Sequence, residues 1–280
     1  MDTLESIKDK ITSIAIGGFD GMHIGHQHLF DELDDGGAIV VIETGYANLT
    51  PKRERENFSS YPIVYFDLDD IRHLDAKGFL KLLKEKFLNL KKIVVGYDFH
   101  FGKNRKYSFD DLKELFDGEV KIVKEVCLDG DSIHSHKIRA KIQIGDIEGA
   151  NAFLGHNYTI RGDVVKGQGL GKKELVATIN IEAKGFLTPK EGVYVTLTRI
   201  EDEEHYHPSV SFVGHRVTTD GSFAIESHIL DGEVVCSNKA SISFVSFIRE
   251  NKKFDSLDEL KQAIKKDINI ASQRLKLMQL

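Results

Sequence analysis

The sequence has little cysteine, no excess of positive charge and no long apolar run. Its two cysteines, Cys127 and Cys236, lie far apart and outside any C-x-x-C spacing, which predicts buried free thiols without a disulfide framework or zinc site. A net charge of -6 and a pI near 6.1 exclude a global positive field that would collect nucleic acid, so any phosphate site must be local. No stretch approaches the roughly 20 apolar residues that span a bilayer. The first residues, MDTLESIKDK, lack the pattern of a leader, so we expect a cytoplasmic protein that does not contact membranes.

The 280 residues predict two domains with different patterns. In residues 1–156, apolar strand segments alternate with segments of helical spacing, and the last helical pattern runs from Ser135 to about Leu154. This alternation is typical of a Rossmann-like parallel α/β sheet. In residues 157–280, short strands follow one another without helices, which predicts an all-β barrel. A C-terminal helix should pack on the barrel through an apolar face formed by Leu257, Leu260, Ile264 and Ile268.

The most informative stretch is GGFDGMHIGHQHLF, between a predicted strand and a predicted helix. Its glycines, including Gly18 and Gly25, let backbone approach a bulky ligand, and free amides at a helix start favour anions. His23 and His26 stand in H-x-G-H spacing, where two imidazoles can donate to phosphoryl oxygens and carry charge beside an anion. The pattern predicts a phosphate site without a covalent nucleophile. Histidines that only hydrogen-bond a loop are the simpler alternative.

This stretch resembles the nucleotidyltransferase superfamily with the H-x-G-H signature, and its flanks are similar to bacterial FAD synthetases. The resemblance implies that a substrate phosphate attacks the α-phosphate of ATP, that pyrophosphate leaves, and that the protein contributes positioning and charge stabilisation. It implies Mg2+ as cofactor and catalytic roles for His23 and His26. The residues that it implies to bind the nucleotide phosphates here are Gly18, Phe19, Asp20 and Gly25.

A second segment, VVGYDFHFGKNRKY, resembles the family pattern G-x-D-F-x-F-G-x-x-R. The resemblance implies that Asp98, Phe101 and Arg105 bind the flavin. For the phenylalanine, a place in the core is an equally good interpretation. The stretch VVIETGYANLTP departs from the family, because it lacks the Phe-Glu-Pro-His-Pro-like loop of relatives.

A third segment, IHSHKIR, resembles the family pattern I-S-S-T-x-I-R at a helix start. The resemblance implies that Ser135 and Arg139 bind the ATP triphosphate. An ordinary N-cap with a surface arginine is the alternative. His134 and His136 replace the Ser and Thr of the pattern, and their effect on nucleotide binding stays open.

The glycine-rich stretch RGDVVKGQGLGKKELVATINI fails as a Walker A loop, because Lys166 stands where the first glycine is required and Lys173 replaces Ser or Thr. It resembles instead the riboflavin kinase pattern G-x-V-x-x-G-x-x-L-G-x-x-x-x-x-P-T-A-N, from which Ala177 and Ile179 depart. The resemblance implies that Mg2+ is held by Thr178 and Asn180, as suits a hard cation. The residues implied to bind nucleotide here are Gly162, Lys166 and Gly171.

The strand segment SFAIESHIL resembles the V-E-x-H-I-L segment of riboflavin kinases. By that resemblance Glu226 is the general base that takes the proton of the ribityl hydroxyl as it attacks the γ-phosphate of ATP. A strand glutamate taken alone is usually only solvated. Arg249, near the start of the last helix, is implied to line the flavin site.

Together these segments resemble the two-domain FAD synthetase family over almost the whole chain. The implied function is flavin cofactor biosynthesis with ATP, riboflavin, FMN, FAD and pyrophosphate as ligands and no obligate protein partner. One alternative is an FAD synthetase whose kinase half is weakened or inactive, as the altered ATIN segment suggests. Others are an adenylyltransferase for a nicotinamide or pantetheine phosphate, and a flavin-binding protein without activity.

Overall fold

A computed structural model describes residues 8–166, 178–201, 203–231 and 238–278. The chain divides into two compact units, Met1–Ser135 and His136–Leu280. This division precedes the predicted domain boundary at residues 156 and 157, because the two helices before that boundary belong to the second unit. Asn151, for example, donates its side-chain amide to the carbonyl of Phe244 in a barrel strand over 2.9 Å. The predicted domain boundary at residues 156 and 157 remains a prediction.

The first unit is built on a parallel five-stranded sheet, as its alternating pattern predicts. Its strands, in the spatial order β3-β2-β1-β4-β7, are β1 (Ser13–Gly17), β2 (Gly37–Glu43), β3 (Ile63–Asp67), β4 (Lys92–Gly96) and β7 (Glu119–Val123). Two short hairpins that the sequence did not predict pair β5 (His100–Phe101) with β6 (Tyr107–Ser108) and β8 (Cys127–Leu128) with β9 (Asp131–Ser132). The helices are α1 (Ile24–Phe30), α2 (Leu68–Ile71), α3 (Ala76–Lys86) and α4 (Phe109–Leu115).

Both faces of this sheet are buried, which explains why its strands are continuous apolar runs. Successive side chains of a strand point to opposite faces. Ile14 and Ile16 of β1 therefore join Val40 in one core cluster, whereas Ala15 joins Ile39 in the other. The turns after β1 and β4 lie at the carboxyl edge of the sheet, where open α/β sheets bind ligands.

The stretch from Ser135 to Leu154 is helical as its pattern predicts, and it forms two helices, α5 (Ser135–Ile144) and α6 (Ile147–Leu154). Gly145 adopts a left-handed φ of 87° between them. Asp146 then starts the second helix, because its carboxylate accepts the backbone N–H of Gly149 over 3.0 Å. A glycine at a left-handed position followed by a capping carboxylate is a stop signal and a start signal in succession.

The second unit contains a closed antiparallel barrel of six strands in the order β10-β11-β14-β13-β12-β15. They are β10 (Thr159–Val165), β11 (Ile179–Glu182), β12 (Gly192–Ile200), β13 (His207–His215), β14 (Phe223–Ile229) and β15 (Lys239–Glu250). The barrel prediction is confirmed. Its second strand, β11, had been interpreted as part of a glycine-rich binding segment.

The barrel interior is partly lined by hydroxyl groups. Thr196 and Thr198 on β12 are fully buried, and Thr198 Oγ1 lies 2.9 Å from Ser209 Oγ and 2.7 Å from Ser227 Oγ. Buried polar groups are stable only when they are hydrogen-bonded, and these hydroxyls satisfy one another. The opposite face of β12 carries Val193 and Val195, which pack with the C-terminal helix.

The C-terminal helix α7 (Leu257–Met278) forms as predicted, but its buried face lies further along than expected. Ala271 and Leu275 are buried and Ile268 packs with them, whereas Leu257 is 43% exposed. Asp267 also lies on this face, and its buried carboxylate accepts a hydrogen bond from an arginine on β15.

The predictions for the cysteines and for membrane-spanning helices can be compared with the residues that the structure describes. Cys127 is a free thiol but is exposed, so the prediction that it is buried was wrong, and Cys236 lies outside the described residues. Within the described part of the chain, no helix combines the length and apolar character needed to cross a membrane.

Candidate active sites

The first candidate site is the turn of residues 18–23 between β1 and α1, here called the glycine turn. Its backbone is left-handed at Phe19, Gly21 and Met22, with φ values of 48°, 92° and 46°. Strain of this kind at non-glycine residues persists only where surrounding contacts enforce it, and it is common at ligand sites. A Cβ on Gly18 would meet nothing within 4 Å, so open space lies beside the turn.

Asp20 holds the glycine turn in this shape. Its carboxylate accepts the backbone N–H groups of Asn48, Leu49 and Thr50 over 3.2, 2.9 and 2.9 Å. Thr50 Oγ1 in turn accepts the N–H of Gly21 over 2.8 Å. These three bonds give the Asp20 carboxylate a role in positioning the loop, and its assignment to phosphate binding remains a prediction.

Arg55 is a second support of the glycine turn, and the sequence analysis missed it. Its side chain is 1% exposed, and its Nε donates to the carbonyl of Phe19 over 3.3 Å. One terminal nitrogen also donates to Glu43 Oε2 over 2.9 Å and to the carbonyl of Lys52 over 2.8 Å. The segment KRERENF reads as an exposed charged run, so nothing in the sequence distinguishes this arginine from its neighbours.

His23 and His26 are brought together, as the H-x-G-H spacing predicts. Their rings are stacked with centroids 3.5 Å apart and an interplanar angle of 20°. His23 also caps α1, because its Nδ1 accepts the backbone N–H of His26 over 3.3 Å. A glycine suits position 25, since a Cβ there would lie 3.2 Å from the His23 ring, a tight contact. The buried ring of Phe19 meets His26 edge-on at 5.1 Å, so Phe19 supports an imidazole from below.

Burial holds the pKa of His26 well below its ordinary value of 6.5, and the nearby His23, Arg55 and His134 lower it further. His26 is therefore a neutral imidazole at neutral pH in the ligand-free protein. The expectation that the imidazoles carry charge when an anion lies beside them remains a prediction. The Nδ1 atom of His26 is buried and has no hydrogen-bond partner among the described residues.

The IHSHKIR segment begins beside the glycine turn, as expected. Ser135 Oγ donates to the carbonyl of Asp20 over 2.8 Å, a contact between residues 115 positions apart. His134 lies 3.5 Å from the phenolic oxygen of Tyr97 and 3.5 Å from a carboxylate oxygen of Glu125. Arg139 lies one turn further along α5, in the second unit, and its role remains a prediction. His136 is exposed.

The predicted flavin residues of the first unit have different surroundings. Asp98 and Arg105 are exposed after β4, where a ligand can reach them. Phe101 is 5% exposed and packs with the rings of Phe79 and Tyr107, 5.6 and 5.8 Å away. Phe101 thus packs in the core, as the alternative interpretation of its segment expects, and its contact with a flavin remains a prediction.

The second candidate site is a group of four polar side chains on the barrel, here called the Glu226 cluster: Thr178, Asn180, Arg216 and Glu226. Neighbouring strands bring the predicted residues together, because Asn180 on β11 pairs with Glu226 on β14. Asn180 Nδ2 donates to Thr178 Oγ1 over 3.4 Å. Arg216 has no role predicted from the sequence, yet its guanidinium donates to both Glu226 and Asn180 over 2.7 and 2.8 Å.

Two other predicted residues of the second unit, Gly162 and Lys166, have no described contact with this cluster. Gly162 is a strand glycine that permits close approach, since a Cβ would lie 2.5 Å from the carbonyl oxygen of Glu182. Lys166 is exposed at the end of β10, and Gly171 lies outside the described residues. Ile179, which departs from the family pattern, is buried in the core, and Ala177 lies outside the described residues.

Arg249, predicted to line a flavin site, is bonded instead to α7. Its Nε and one terminal nitrogen donate to the carboxylate of Asp267 over 3.0 and 2.7 Å, and Asp267 is 4% exposed. The two-pronged geometry is that of a strong charge-assisted pair. In the structure this arginine therefore fastens the last helix to the barrel, and its contact with a flavin remains a prediction.

Comparison with known proteins assigns the chain to a family. Residues 154–275 match the family model for riboflavin kinase, and residues 49–137 match the model for FAD synthetase. A bifunctional riboflavin kinase/FMN adenylyltransferase of Pseudomonas fluorescens is 30% identical over 286 residues, which cover 92% of this chain and 91% of that protein. The chain belongs to this bifunctional family. The enzyme of the same description from Listeria monocytogenes is 28% identical over 91% of this chain and 89% of its own length.

A solved structure has the same fold. A crystal structure described as a macrolide-efflux protein of Streptococcus pneumoniae superimposes with a TM-score of 0.80 at 28% identity, covering 97% of each chain. The order of the two family matches is that of the parallel sheet followed by the barrel. The FAD synthetase match begins after the glycine turn, so the geometry of that turn is an independent observation about this member of the bifunctional family.

Proposed function

We propose that this chain makes FAD in two steps, as its family description states, and that the steps use the two candidate sites separately. The barrel phosphorylates riboflavin with ATP to give FMN and ADP, and the first unit joins FMN to ATP to give FAD and pyrophosphate. The observation that carries the proposal is the presence of both constellations in one chain. The paired imidazoles stand on the glycine turn, and the Glu226 cluster stands on adjacent barrel strands.

In the first step, the ribityl hydroxyl of riboflavin attacks the γ-phosphorus of ATP while the carboxylate of Glu226 takes its proton. The new O–P bond forms as the bond to the ADP oxygen breaks. Glu226 suits this task because its side chain is partly buried beside residues that can hold the phosphate groups. The departure from the family pattern at Ile179 is a core contact, which leaves Thr178, Asn180 and Glu226 in place.

The donor chemistry of the cluster fits Mg2+, which we propose is held by Thr178 and Asn180. A hydroxyl and an amide oxygen are hard ligands of the type that magnesium prefers. Asn180 Oδ1 accepts one hydrogen bond from Arg216, and its second lone pair remains for a cation. When bound, the metal supplies charge neutralisation for the transferred phosphoryl group.

In the second step, a phosphate oxygen of FMN attacks the α-phosphorus of ATP and pyrophosphate leaves. His23 and His26 stabilise the charge on the phosphoryl oxygens. A neutral His26 binds as a hydrogen-bond donor, and an anion placed beside it opposes the effect of burial by favouring the protonated ring. Gly18 leaves room for the nucleotide, Gly25 leaves room for the His23 ring, and Asp98 and Arg105 are the exposed candidates for contacts with the flavin phosphate.

Incubation of the purified chain with riboflavin, ATP and magnesium tests the whole proposal. FMN should appear first and FAD should follow, with one pyrophosphate released for each FAD. Supplying FMN directly tests the adenylyl-transfer half, which is refuted if no FAD forms. If FMN is converted to FAD but riboflavin is not consumed, the protein is an FAD synthetase with an inactive kinase half. We expect both reactions to take place in the cytoplasm.

A further inference from the structure

The backbone of Arg216 is firmly anchored at the start of the turn between β13 and β14. Its N–H donates to the carbonyl of Ser222 over 2.9 Å, and its own carbonyl accepts the N–H groups of Thr219 and Gly221 over 2.9 and 3.1 Å. An arginine fixed at its main chain loses less freedom when its side chain also becomes ordered. The turn therefore presents the guanidinium in a defined direction.

The side chain of Arg216 donates hydrogen bonds to three residues. Its Nε donates to Glu226 Oε1 over 2.7 Å, and its NH2 group lies 2.5 Å from the same oxygen. The NH2 group also donates to Asn180 Oδ1 and the NH1 group to Ser222 Oγ, each over 2.8 Å. Ser222 Oγ is itself bonded to the carboxylate of Asp220, so the far end of the guanidinium is held as well.

Both contacts to Glu226 fall on one oxygen of its carboxylate. No residue that the structure describes donates to the other oxygen, Oε2. A general base needs one accepting oxygen within hydrogen-bond reach of the proton that it removes. The two contacts to Oε1 thus fix the orientation of the carboxylate and leave Oε2 able to accept a proton.

We propose that Arg216 is a positioning residue of the kinase site, which fixes Glu226 through Oε1 so that Oε2 faces the ribityl hydroxyl. The inference rests on the proposed riboflavin kinase activity. Arg216 touches no reacting atom and acts through Glu226. Its planar fork suits this task, because a guanidinium donates from two nitrogens in a fixed geometry whereas an ammonium is a single point donor.

The test compares Arg216→Gln and Arg216→Lys with the wild-type chain in riboflavin phosphorylation. Loss of a supporting partner of this kind reduces activity about 10- to 100-fold, so the Gln variant should lose that much in kcat, with little change in the KM for riboflavin. The Lys variant should recover part of the loss, because it restores the charge. Arg199→Gln is the matched control, since Arg199 lies on β12 of the same barrel and contacts Tyr206 instead.

A double-mutant cycle separates positioning from a general effect on the fold. If Arg216 acts through Glu226, Arg216→Gln should cause no further loss of kcat in a Glu226→Gln background. An equal loss in both backgrounds contradicts the proposal, as does an unchanged kcat in Arg216→Gln. Riboflavin binding, followed by flavin fluorescence without ATP, reports on folding of the barrel. If Arg216→Gln does not bind riboflavin, the kcat of Arg216→Lys becomes the test. Full wild-type kcat in Arg216→Lys contradicts the proposal that Arg216 positions Glu226. A wild-type chain that does not phosphorylate riboflavin would refute the kinase function itself.

Discussion

The glycine turn of the first unit and the Glu226 cluster of the barrel are held in place in different ways. In the glycine turn, the functional imidazoles are close in sequence, and buried polar groups such as Asp20 and Arg55 fix the backbone beneath them. In the Glu226 cluster, the residues come from separate strands, and an arginine joins their side chains directly. In a local motif, the spacing in the sequence identifies the functional residues but not the distant residues that hold their backbone. In a site assembled from several strands, the sequence also fails to identify the residue whose side chain bonds the others together.

The strongest test of the comparison removes one functional side chain from each region. His26→Ala should reduce FAD formation from FMN by roughly 10²- to 10³-fold, the usual cost of one donor to a developing charge, and spare riboflavin phosphorylation. Glu226→Ala should reduce FMN formation by roughly 10²- to 10⁴-fold, the usual contribution of a general base, and spare FAD formation. Chromatography of flavins from each reaction supplied separately measures both.

His28→Ala is the control for His26, because His28 lies on the same helix but is exposed. Its FAD formation should equal that of the wild type. If either active-site variant lost both activities while remaining folded, the two regions would not be separate sites.

A smaller effect is expected at the ion pair that fastens α7 to the barrel. Asp267→Asn leaves the guanidinium of Arg249 without its buried carboxylate, so the free energy of unfolding should fall by about 3 kcal/mol. Asp258→Asn on the same helix removes the partner of an exposed lysine and should cost under about 1 kcal/mol. Urea unfolding measures both. Equal stability of the two variants would mean that Arg249 is free to serve a ligand, as the sequence analysis first predicted.

The support of the glycine turn should respond to Asp20→Ala. This change removes the acceptor of three backbone N–H groups and should lower the free energy of unfolding by about 2 kcal/mol, with loss of FAD formation because the turn relaxes. Asp35→Ala, at an exposed position in the same unit, is the control and should change neither quantity. If Asp20→Ala weakened ATP binding without any loss of stability, Asp20 would bind the phosphate and would not be a support of the turn.

The smallest expected effect is a dependence of stability on pH that distinguishes the histidine site from the barrel. The folded protein holds the pKa of His26 well below 6.5, so it takes up a proton at this position less readily than the unfolded chain. The stability contributed by neutral His26 is therefore complete above about pH 6.5 and is lost as the pH falls below that value, by at most roughly 1.4 kcal/mol per pH unit.

His26→Gln removes this titration, so the stability difference between wild type and variant should shift against the wild type as the pH falls. Urea unfolding at several pH values between about 7.5 and 5.5 follows the change. Parallel pH profiles for the two proteins would show that His26 is not buried as a neutral ring.

Much of this fold could be predicted from the sequence, because hydrophobic periodicity reports directly on burial. The parallel sheet, the barrel and α7 follow from it, and the H-x-G-H spacing locates His23 and His26 correctly. The break at Gly145 was missed because the apolar periodicity continues across it. The supporting roles of Arg55 and Arg216 could not be predicted, because the role of an arginine depends on hydrogen-bond partners that only the tertiary structure brings close to it.

Some motif residues also support the fold, and their predicted ligand contacts remain predictions. Asp20, Phe101 and Arg249 all stand in segments that suggested ligand contacts, but their side chains are satisfied within the protein. Sequence spacing identifies the segment that forms a site, and it cannot tell which side chains of that segment face the ligand and which face the core.

The most direct test of two separate sites is a mixing experiment with riboflavin as the only flavin supplied. His26→Ala alone should stop at FMN, and Glu226→Ala alone should leave riboflavin unchanged. A mixture of the two purified variants should make FAD, because FMN released by the first protein is a substrate for the second. If the mixture makes no FAD although each variant retains its own remaining activity, FMN does not pass freely between two independent centres and the account is wrong.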